Sequence, residues 1–480
     1  MKYIDRLLLP FCMLCACLPA IAVPPNILFL LSDDQNWDGT SVQLHPNIPN
    51  SKSAIYQTPN LEKLAAQGMR FSAAYAPAPS CSPTRISLQT GQNPAQLRWT
   101  KAAPVVTEAD GFRLVVPRIR KAIRADETTI GEVLKQAGYT TAHFGKWHLN
   151  GGGPAAHGYD GSDGETGNGD AERFVDPNPV DIFDMGERAL RFMAAAKKKR
   201  QPFFIQMSYH ALHYPQNARA ATVEKFGGGA TDGRPANRDR RAITWDLDDG
   251  VGKLVRGLDA LGLAETTYVI YMSDNGAGGK RGPLQGGKGS AMESGIRVPM
   301  IVRGPGVAAG SHCGTTVVGT DWFPTFAAWA GVKEMPAGIV GGDLHPLLQG
   351  ESTEVDRANP PLFHVPHYQG DVPRTALLDP PWKLRRNWET KQDALFHLER
   401  DLGERTDLAA EEPERVKTMA AEMDRLLTLY QADLPRSNPQ FDPDRVPDLN
   451  AGNKFKPGKP GRTGKAPGKQ KKPKPGKRPR

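Results

Sequence analysis

Four short apolar runs, each opening into a cluster of polar residues, constrain this chain more than any other feature. Asn26 to Leu31 leads into Ser32-Asp33-Asp34-Gln35-Asn36, and Thr140 to Phe144 into Gly145-Lys146-Trp147-His148. Pro202 to Met207 leads into Ser208-Tyr209-His210-Ala211-Leu212-His213, and Thr267 to Met272 into Ser273-Asp274-Asn275-Gly276. Short apolar runs bounded by turn formers read as buried strands. Helical segments lie between them. Thr58-Pro59 opens one that Gly68 stops, and Thr129-Ile130-Gly131-Glu132 is a capping box opening another. A third, roughly Asp181 to Ala195, carries Ile182, Met185, Ala189, Phe192 and Met193 as a core stripe; a fourth contains Asp248, Val251, Leu254 and Leu258. Strands alternating with helices predict an α/β fold with a large, mostly parallel mixed sheet flanked by helices. Sites in such sheets gather at the carboxyl ends of strands, where all these clusters fall.

The clusters have a chemistry. Adjacent carboxylates at Asp33 and Asp34 repel each other unless a cation holds them, and an all-oxygen donor set suits Ca²⁺ or Mg²⁺. A surface Asx turn fits the same pair taken alone. Lys146 and His148 flank Trp147, so an extended backbone would put both on one face. A further helix is expected right after Cys81, with Ser82 as its N-cap and Pro83 at its first position. Residue 81 then sits at the positive end of the helix dipole, a place that welcomes an anion. Arg85, one turn in, can point back at it.

The stretch Cys81-Ser82-Pro83-Thr84-Arg85, continued by Leu88-Gln89-Thr90-Gly91, resembles the C-x-P-x-R…L-x-T-G signature of the formylglycine-dependent sulfatases, arylsulfatase-like members of the alkaline phosphatase superfamily. Thr58-Pro59-Asn60-Leu61, Gly145-Lys146-Trp147-His148-Leu149, His213 two residues before Pro215, and Ser273-Asp274-Asn275-Gly276 extend the resemblance. So does Gly286-Gly287-Lys288-Gly289, followed by Glu293 and Gly295-Ile296-Arg297-Val298-Pro299, with Ser294 in place of a family glycine. The resemblance implies a sulfuric ester hydrolase. It implies that a formylglycine-generating or anaerobic sulfatase-maturating enzyme oxidises Cys81 to formylglycine, whose hydrate attacks sulfur. It also implies that Asp33, Asp34, Asp274 and Asn275, with an oxygen of residue 81, hold one Ca²⁺, or Mg²⁺ in its place. Arg85 would steady the nucleophile, and Lys288 and His213 would contact the sulfate and protonate the leaving oxygen. His148, supported by Lys146, would take the proton that lets sulfate leave. His210 is an additional histidine for the substrate cleft, and His364 and His367 are further candidates for which packing is the alternative.

The ends of the chain bear on location. Residues 1–22 read as a secretory signal: Lys2 and Arg6, an apolar stretch, then Ala20-Ile21-Ala22 as the cleavage site. The expectation is a periplasmic or secreted protein without a transmembrane segment after signal removal. Leu14-Cys15-Ala16-Cys17 loosely resembles a lipobox, which would leave a lipid anchor instead. Cys12, Cys15 and Cys17 leave with the signal, so only Cys81 and Cys313 remain and a disulfide framework is excluded. Residues 23–355 then form the catalytic domain and 356–437 a smaller α+β subdomain of short antiparallel strands plus a helix from Pro413 to about Asp433. The remainder, 438–480, reads as a disordered basic tail. Twelve Lys or Arg between Lys454 and Arg480 account for more than the whole formal charge of +9, leaving −3 elsewhere (9 − 12). The tail therefore reads as an inert solvated segment or a tether to polyanions. Export disfavours nucleic acid and points within the class to sulfated polysaccharides or oligosaccharides. A phosphonate or phosphodiester hydrolase of the same superfamily, and a non-catalytic polyanion binder, are the rival readings.

Overall fold

The computed structural model describes residues 24–102, 111–228, 239–277 and 282–445. The signal reading at 1–22 and the basic run from Lys454 lie outside the described residues. The central sheet is built from β1 (Asn26–Ser32), β2 (Met69–Phe71), β3 (Thr140–Gly145), β4 (Gly161–Ser162), β5 (Phe203–Ser208), β6 (Thr267–Ser273), β7 (Met300–Arg303) and β8 (Ser311–Cys313). Their order is β8-β2-β7-β6-β1-β5-β3-β4. Only β7 runs against its neighbours β2 and β6; the other described pairings in this sheet are parallel.

β1 lies at the centre, and every residue along it is buried. Its side chains alternate between two cores, as the period of a strand requires. Ile27, Phe29 and Leu31 face α2 (Cys81–Thr90), α3 (Ile130–Gln136) and α6 (Trp322–Trp329), packing in one cluster with Ile86, Leu134 and Phe326. Leu28 and Leu30 face α1 (Pro59–Ala66), α4 (Ile182–Lys199) and α5 (Arg240–Ala260), clustering with Leu64, Met185 and Leu247. Each such fully buried side chain contributes roughly 1.5–3 kcal/mol. Helices therefore cover both faces, and the carboxyl edge is left to build a site.

A second sheet follows: β9 (Leu362–Val365), β10 (Arg374–Asp379), β11 (Trp382–Asn387) and β12 (Gln392–His397), antiparallel throughout. α7 (Pro413–Leu429) lies on one face through Met419, Met423 and Leu426. The other face reaches the segment after Lys288 through buried charges. Glu293 accepts from Lys383 at 2.8 Å and from Arg297 at 2.6 Å, while Lys383 also lies 3.1 Å from Glu404. Strand β10 was not anticipated; its Thr-Ala-Leu-Leu run is bounded by Arg374 and Asp379, and only pairing with β9 and β11 makes it a strand.

Local expectations about caps shift in detail. The Cys81 helix begins two residues earlier than anticipated: Ser80, extended at φ −158°, is the N-cap, and Cys81 is the first helical residue. Pro83 then falls in the first turn, where no backbone donor has an intrahelical partner. Ser82 Oγ is thereby free to donate to the His148 carbonyl at 3.0 Å. Thr58 turns its hydroxyl to Ser41, and Asp248 on α5 accepts from the Asn60 and Leu61 amides at 3.0 and 2.9 Å instead. The Thr129–Glu132 capping box forms as expected.

Candidate active site

Four strand ends and one helix start converge, Lys146 following β3. Asp33 follows β1, Asp274 follows β6, and His210 and His213 follow β5; Cys81 opens α2. The Asp33 amide donates to the Ala211 carbonyl at 2.8 Å and the Leu212 amide returns a bond to the Asp33 carbonyl at 2.6 Å, locking the first loop to the third. Gln35 ties it to the fourth, its amide donating to Ser273 Oγ at 3.0 Å. The Arg240 guanidinium holds the Asp34 carbonyl at 2.6 Å.

One ligand atom each from Asp33, Asp34, Cys81 and Asp274 can be chosen so that all lie within 4.8 Å of one another. Three carboxylates this close, two of them buried and Asp34 half-buried, need positive charge, and the protein supplies three cations. Lys146 Nζ pairs with Asp33 Oδ2. Arg85 donates from Nε and Nη2 to Asp274 Oδ2 at 3.1 and 2.8 Å, and from Nη1 to the Lys146 carbonyl at 2.6 Å. Its guanidinium thus fixes the carboxylate opposite Cys81. Lys288 Nζ lies 2.6 Å from Asp34 Oδ1 and 3.3 Å from Cys81 Sγ. Burial is the largest single influence and would raise the Asp33 and Asp34 carboxyls, but Lys146, His213, Arg85 and Lys288 together outweigh it at Asp33, and Lys288 with His213 at Asp34, so both are held below the ordinary range. Asp274 behaves oppositely: burial and the neighbouring Asp33 charge push it up to about 6. The Cys81 thiol is likewise pushed up to about 12 by burial and Asp33.

The three carboxylates meet three cations, so the sign of a metal site here is an orphaned oxygen rather than net charge. The Asn275 side chain donates to Asp34 Oδ1 at 2.7 Å, yet its own Oδ1 is buried with no hydrogen-bond partner. A carbonyl oxygen left bare beside three carboxylates has the chemistry of a hard-cation ligand. The donor set therefore fits Ca²⁺ or Mg²⁺.

The histidines divide into two groups. Burial, Lys146 and Arg85 hold His148 well below its usual range, so it is neutral, and its Nδ1 is buried without a partner. Its backbone is not extended: Gly145 at φ +84° and His148 at φ +58° turn the chain, so Lys146 and His148 reach the site by a turn rather than by strand alternation. His213 places Nδ1 2.9 Å from the Tyr214 carbonyl, leaving Nε2 for other partners. Burial and Lys146 push His210 down to about 3. His364 and His367 belong to the second sheet region. Both nitrogens of His364 are engaged, Nδ1 2.7 Å from Thr375 Oγ1 and Nε2 3.1 Å from the Asp433 carbonyl. His367 is buried with Nε2 2.7 Å from Thr100 Oγ1.

Comparison with known proteins gives the family. The sequence model of the Sulfatase family matches residues 25–332. The chain belongs to the sulfatase family. Among curated relatives, the rat N-acetylgalactosamine-6-sulfatase is 31% identical, over 80% of this chain and 81% of its own. Human arylsulfatase A is 29% identical, over 74% and 73%. Among solved structures, Ps i-CgsB in complex with k-i-k-neocarrahexaose superposes with a TM-score of 0.68 at 26% identity, covering 84% of this chain and 92% of that one. This sulfatase is accordingly a sulfuric ester hydrolase on an alkaline-phosphatase-like scaffold. Sequence reading missed the parts of this sulfatase that only hold the site: Arg240 on the Asp34 carbonyl, Gln35 on Ser273, and Ser82 on the His148 carbonyl. None stands at a spacing that announces its partner.

Proposed function

We propose that this sulfatase cleaves sulfate esters of carbohydrates outside the cytoplasm, using an oxidised Cys81 and one calcium ion. The observation that carries the reading is the convergence of Asp33, Asp34, Cys81 and Asp274 within 4.8 Å, with Lys288 touching the Cys81 sulfur at 3.3 Å. Support for a sugar substrate comes from the names of the relatives, one an N-acetylgalactosamine-6-sulfatase and one solved with neocarrahexaose bound. Export rests on the signal-like residues 1–22. Among the described residues no helix is long and apolar enough to cross a membrane.

Asp33, Asp34, Asp274 and Asn275 would hold the ion, which when bound supplies a Lewis acid that neutralises charge on sulfate and on a ligated oxygen. An aldehyde at position 81, made by a maturating enzyme, would add water to give two geminal hydroxyls: the oxygen of one would attack sulfur as the alcohol leaves, and deprotonation of the other would expel sulfate and restore the aldehyde. Cys81 Sγ marks where those oxygens would sit. Lys288, whose ammonium Asp34 and Cys81 hold charged against the effect of burial, binds a sulfate oxygen and protonates the departing alcohol oxygen. His213 supports it through Nε2. The neutral imidazole of His148 accepts the proton released as sulfate leaves, and Lys146 balances Asp33 throughout. Arg85 keeps Asp274 oriented. Such preorganised charge supplies most of the rate in sites of this kind.

The test is sulfate release from a panel of sulfated oligosaccharides, with aryl sulfate and phosphate diester comparators. Sugar sulfates turned over by the parent but not by Cys81→Ala support the reading. Preference for the phosphate diester overturns it.

A further inference from the structure

The sheet has a second functional end. At the amino ends of β1, β5 and β6, opposite the catalytic edge, lies a cavity of about 650 Å³. That volume falls within the ~300–1,000 Å³ of small-molecule sites. Since these strands run six to seven residues, the cavity and the carboxylate cluster stand roughly 20 Å apart. Its walls include Phe203, Tyr268 and Trp329, the last two stacked with ring centroids 3.8 Å apart and planes at 8°. Trp329 Nε1 and the Tyr268 hydroxyl are already used, donating to His345 Nδ1 and the Pro305 carbonyl at 2.9 Å each, so the rings are held rigid.

The rim is basic. Helix α4 ends in Lys197-Lys198-Lys199-Arg200, and both Lys197 and Arg200 line the cavity, with Gln201 beside them. Arg200 is in the left-handed conformation at φ +54°, which turns the chain off the helix at the cavity mouth. Lys197 reaches the Leu261 carbonyl at 2.5 Å, and Lys197, Lys198, Lys199 and Arg200 are exposed. A cavity with flat apolar walls and a cationic rim matches one chemistry well. Sugar rings present apolar C–H faces to aromatic walls, and their sulfate esters present trigonal oxygen triplets to guanidinium and ammonium donors.

We propose that this cavity is a second, non-catalytic binding site for sulfated glycan. The ligand class rests on the sugar-sulfate reading above; the cavity and its rim do not. A long polysaccharide held here is kept at high local concentration near the catalytic edge of the same molecule, which raises apparent affinity without any new contact at the active site. A short oligosaccharide cannot reach both ends and gains nothing.

The experiment compares the parent with Lys197→Gln/Arg200→Asn, asparagine being chosen because it tolerates the left-handed backbone. Binding of dextran sulfate, unsulfated dextran and polyphosphate is measured on both through the ligand-induced change in Trp329 fluorescence, which capture by the Lys/Arg-rich residues 454–480 does not report, alongside turnover of a small aryl sulfate. The expected result is about tenfold weaker dextran sulfate binding by the variant, little binding of dextran by either, and unchanged aryl sulfate kcat/KM. Ligand-induced change in tryptophan fluorescence should vanish in Trp329→Phe. Equal dextran sulfate affinity in parent and variant overturns the proposal. So does polyphosphate binding as tightly as dextran sulfate, because simple charge would then suffice. Should the double variant fail to fold, the exposed single change Arg200→Asn gives the same readout. Loss of sulfatase activity in the parent would strike at the catalytic reading and leave the binding comparison intact.

Discussion

The ammonium of Lys288 lies 3.3 Å from the sulfur of Cys81 while also pairing with Asp34 at 2.6 Å. Its loop is pinned on two sides: the Lys288 amide donates to the Ala277 carbonyl at 3.3 Å and the Gly289 amide to the Pro79 carbonyl at 2.8 Å. A cation so fixed beside the reacting position stabilises charge without having to reorganise. Lys288→Ala is expected to lower kcat on an aryl sulfate by about two orders of magnitude or more. Lys288→Arg should recover part of the loss. Near-normal turnover in the alanine variant would remove Lys288 from the machinery.

The bare Asn275 Oδ1 makes a thermodynamic prediction. An ion that binds the folded protein alone stabilises it by about 2.7 kcal/mol at a hundredfold excess over its Kd. Chelation with EGTA should therefore lower the Tm of the parent, and added Ca²⁺ should restore it. In Asn275→Ala the chelator-dependent shift should shrink. Equal shifts in both proteins would show that Asn275 is not a ligand.

Gly145 ends β3 at φ +84°, and a Cβ there would stand 2.1 Å from the Ser208 carbonyl oxygen. Backbone crowds that point, so no rotamer can relieve it. Gly145→Ala is expected to destabilise the fold by at least about 1–3 kcal/mol and to displace Lys146. Urea denaturation and aryl sulfate kcat should both register the change.

Stability at acid pH should depend on the buried charges that bind the second sheet to the Lys288 segment. Burial would raise the Glu293 carboxyl, but Lys383 and Arg297 hold it down to about 2 from the ordinary 4.5. Because its folded pKa is depressed, Glu293 contributes stability that is present above about pH 4.5 and is lost as pH falls toward about 2. Urea midpoints of the parent should fall across that window. Glu293→Gln should be less stable at pH 7, since Lys383 and Arg297 are left under-compensated, and its midpoint should decline less steeply below pH 4.5.

Much of this arrangement was legible before any coordinates. β1, β3, β5 and β6 are continuous apolar runs because both faces of the sheet are covered, and their polar endings mark the carboxyl edge. Asp33, Asp34 and Asp274 declare themselves as acids in strand-end turns. What the sequence hid is tertiary. Asp248 caps α1 from nearly two hundred residues away, so Thr58 looked like the cap. Ser82 looked like a helix cap because local pattern favours it, whereas its hydroxyl serves the His148 carbonyl. Arg297, Glu293, Lys383 and Glu404 are ordinary surface residue types until folding buries them together.

The central claim is that position 81 acts as an aldehyde. The tryptic peptide Phe71 to Arg85, taken from protein exported by a host with an active maturating enzyme, reports on it directly by mass. The account predicts a species lighter than the cysteine form by the thiol-to-aldehyde change, reactive toward a hydrazine probe, in an abundance that tracks specific activity. A fully active preparation whose peptide carries only the intact thiol would contradict it.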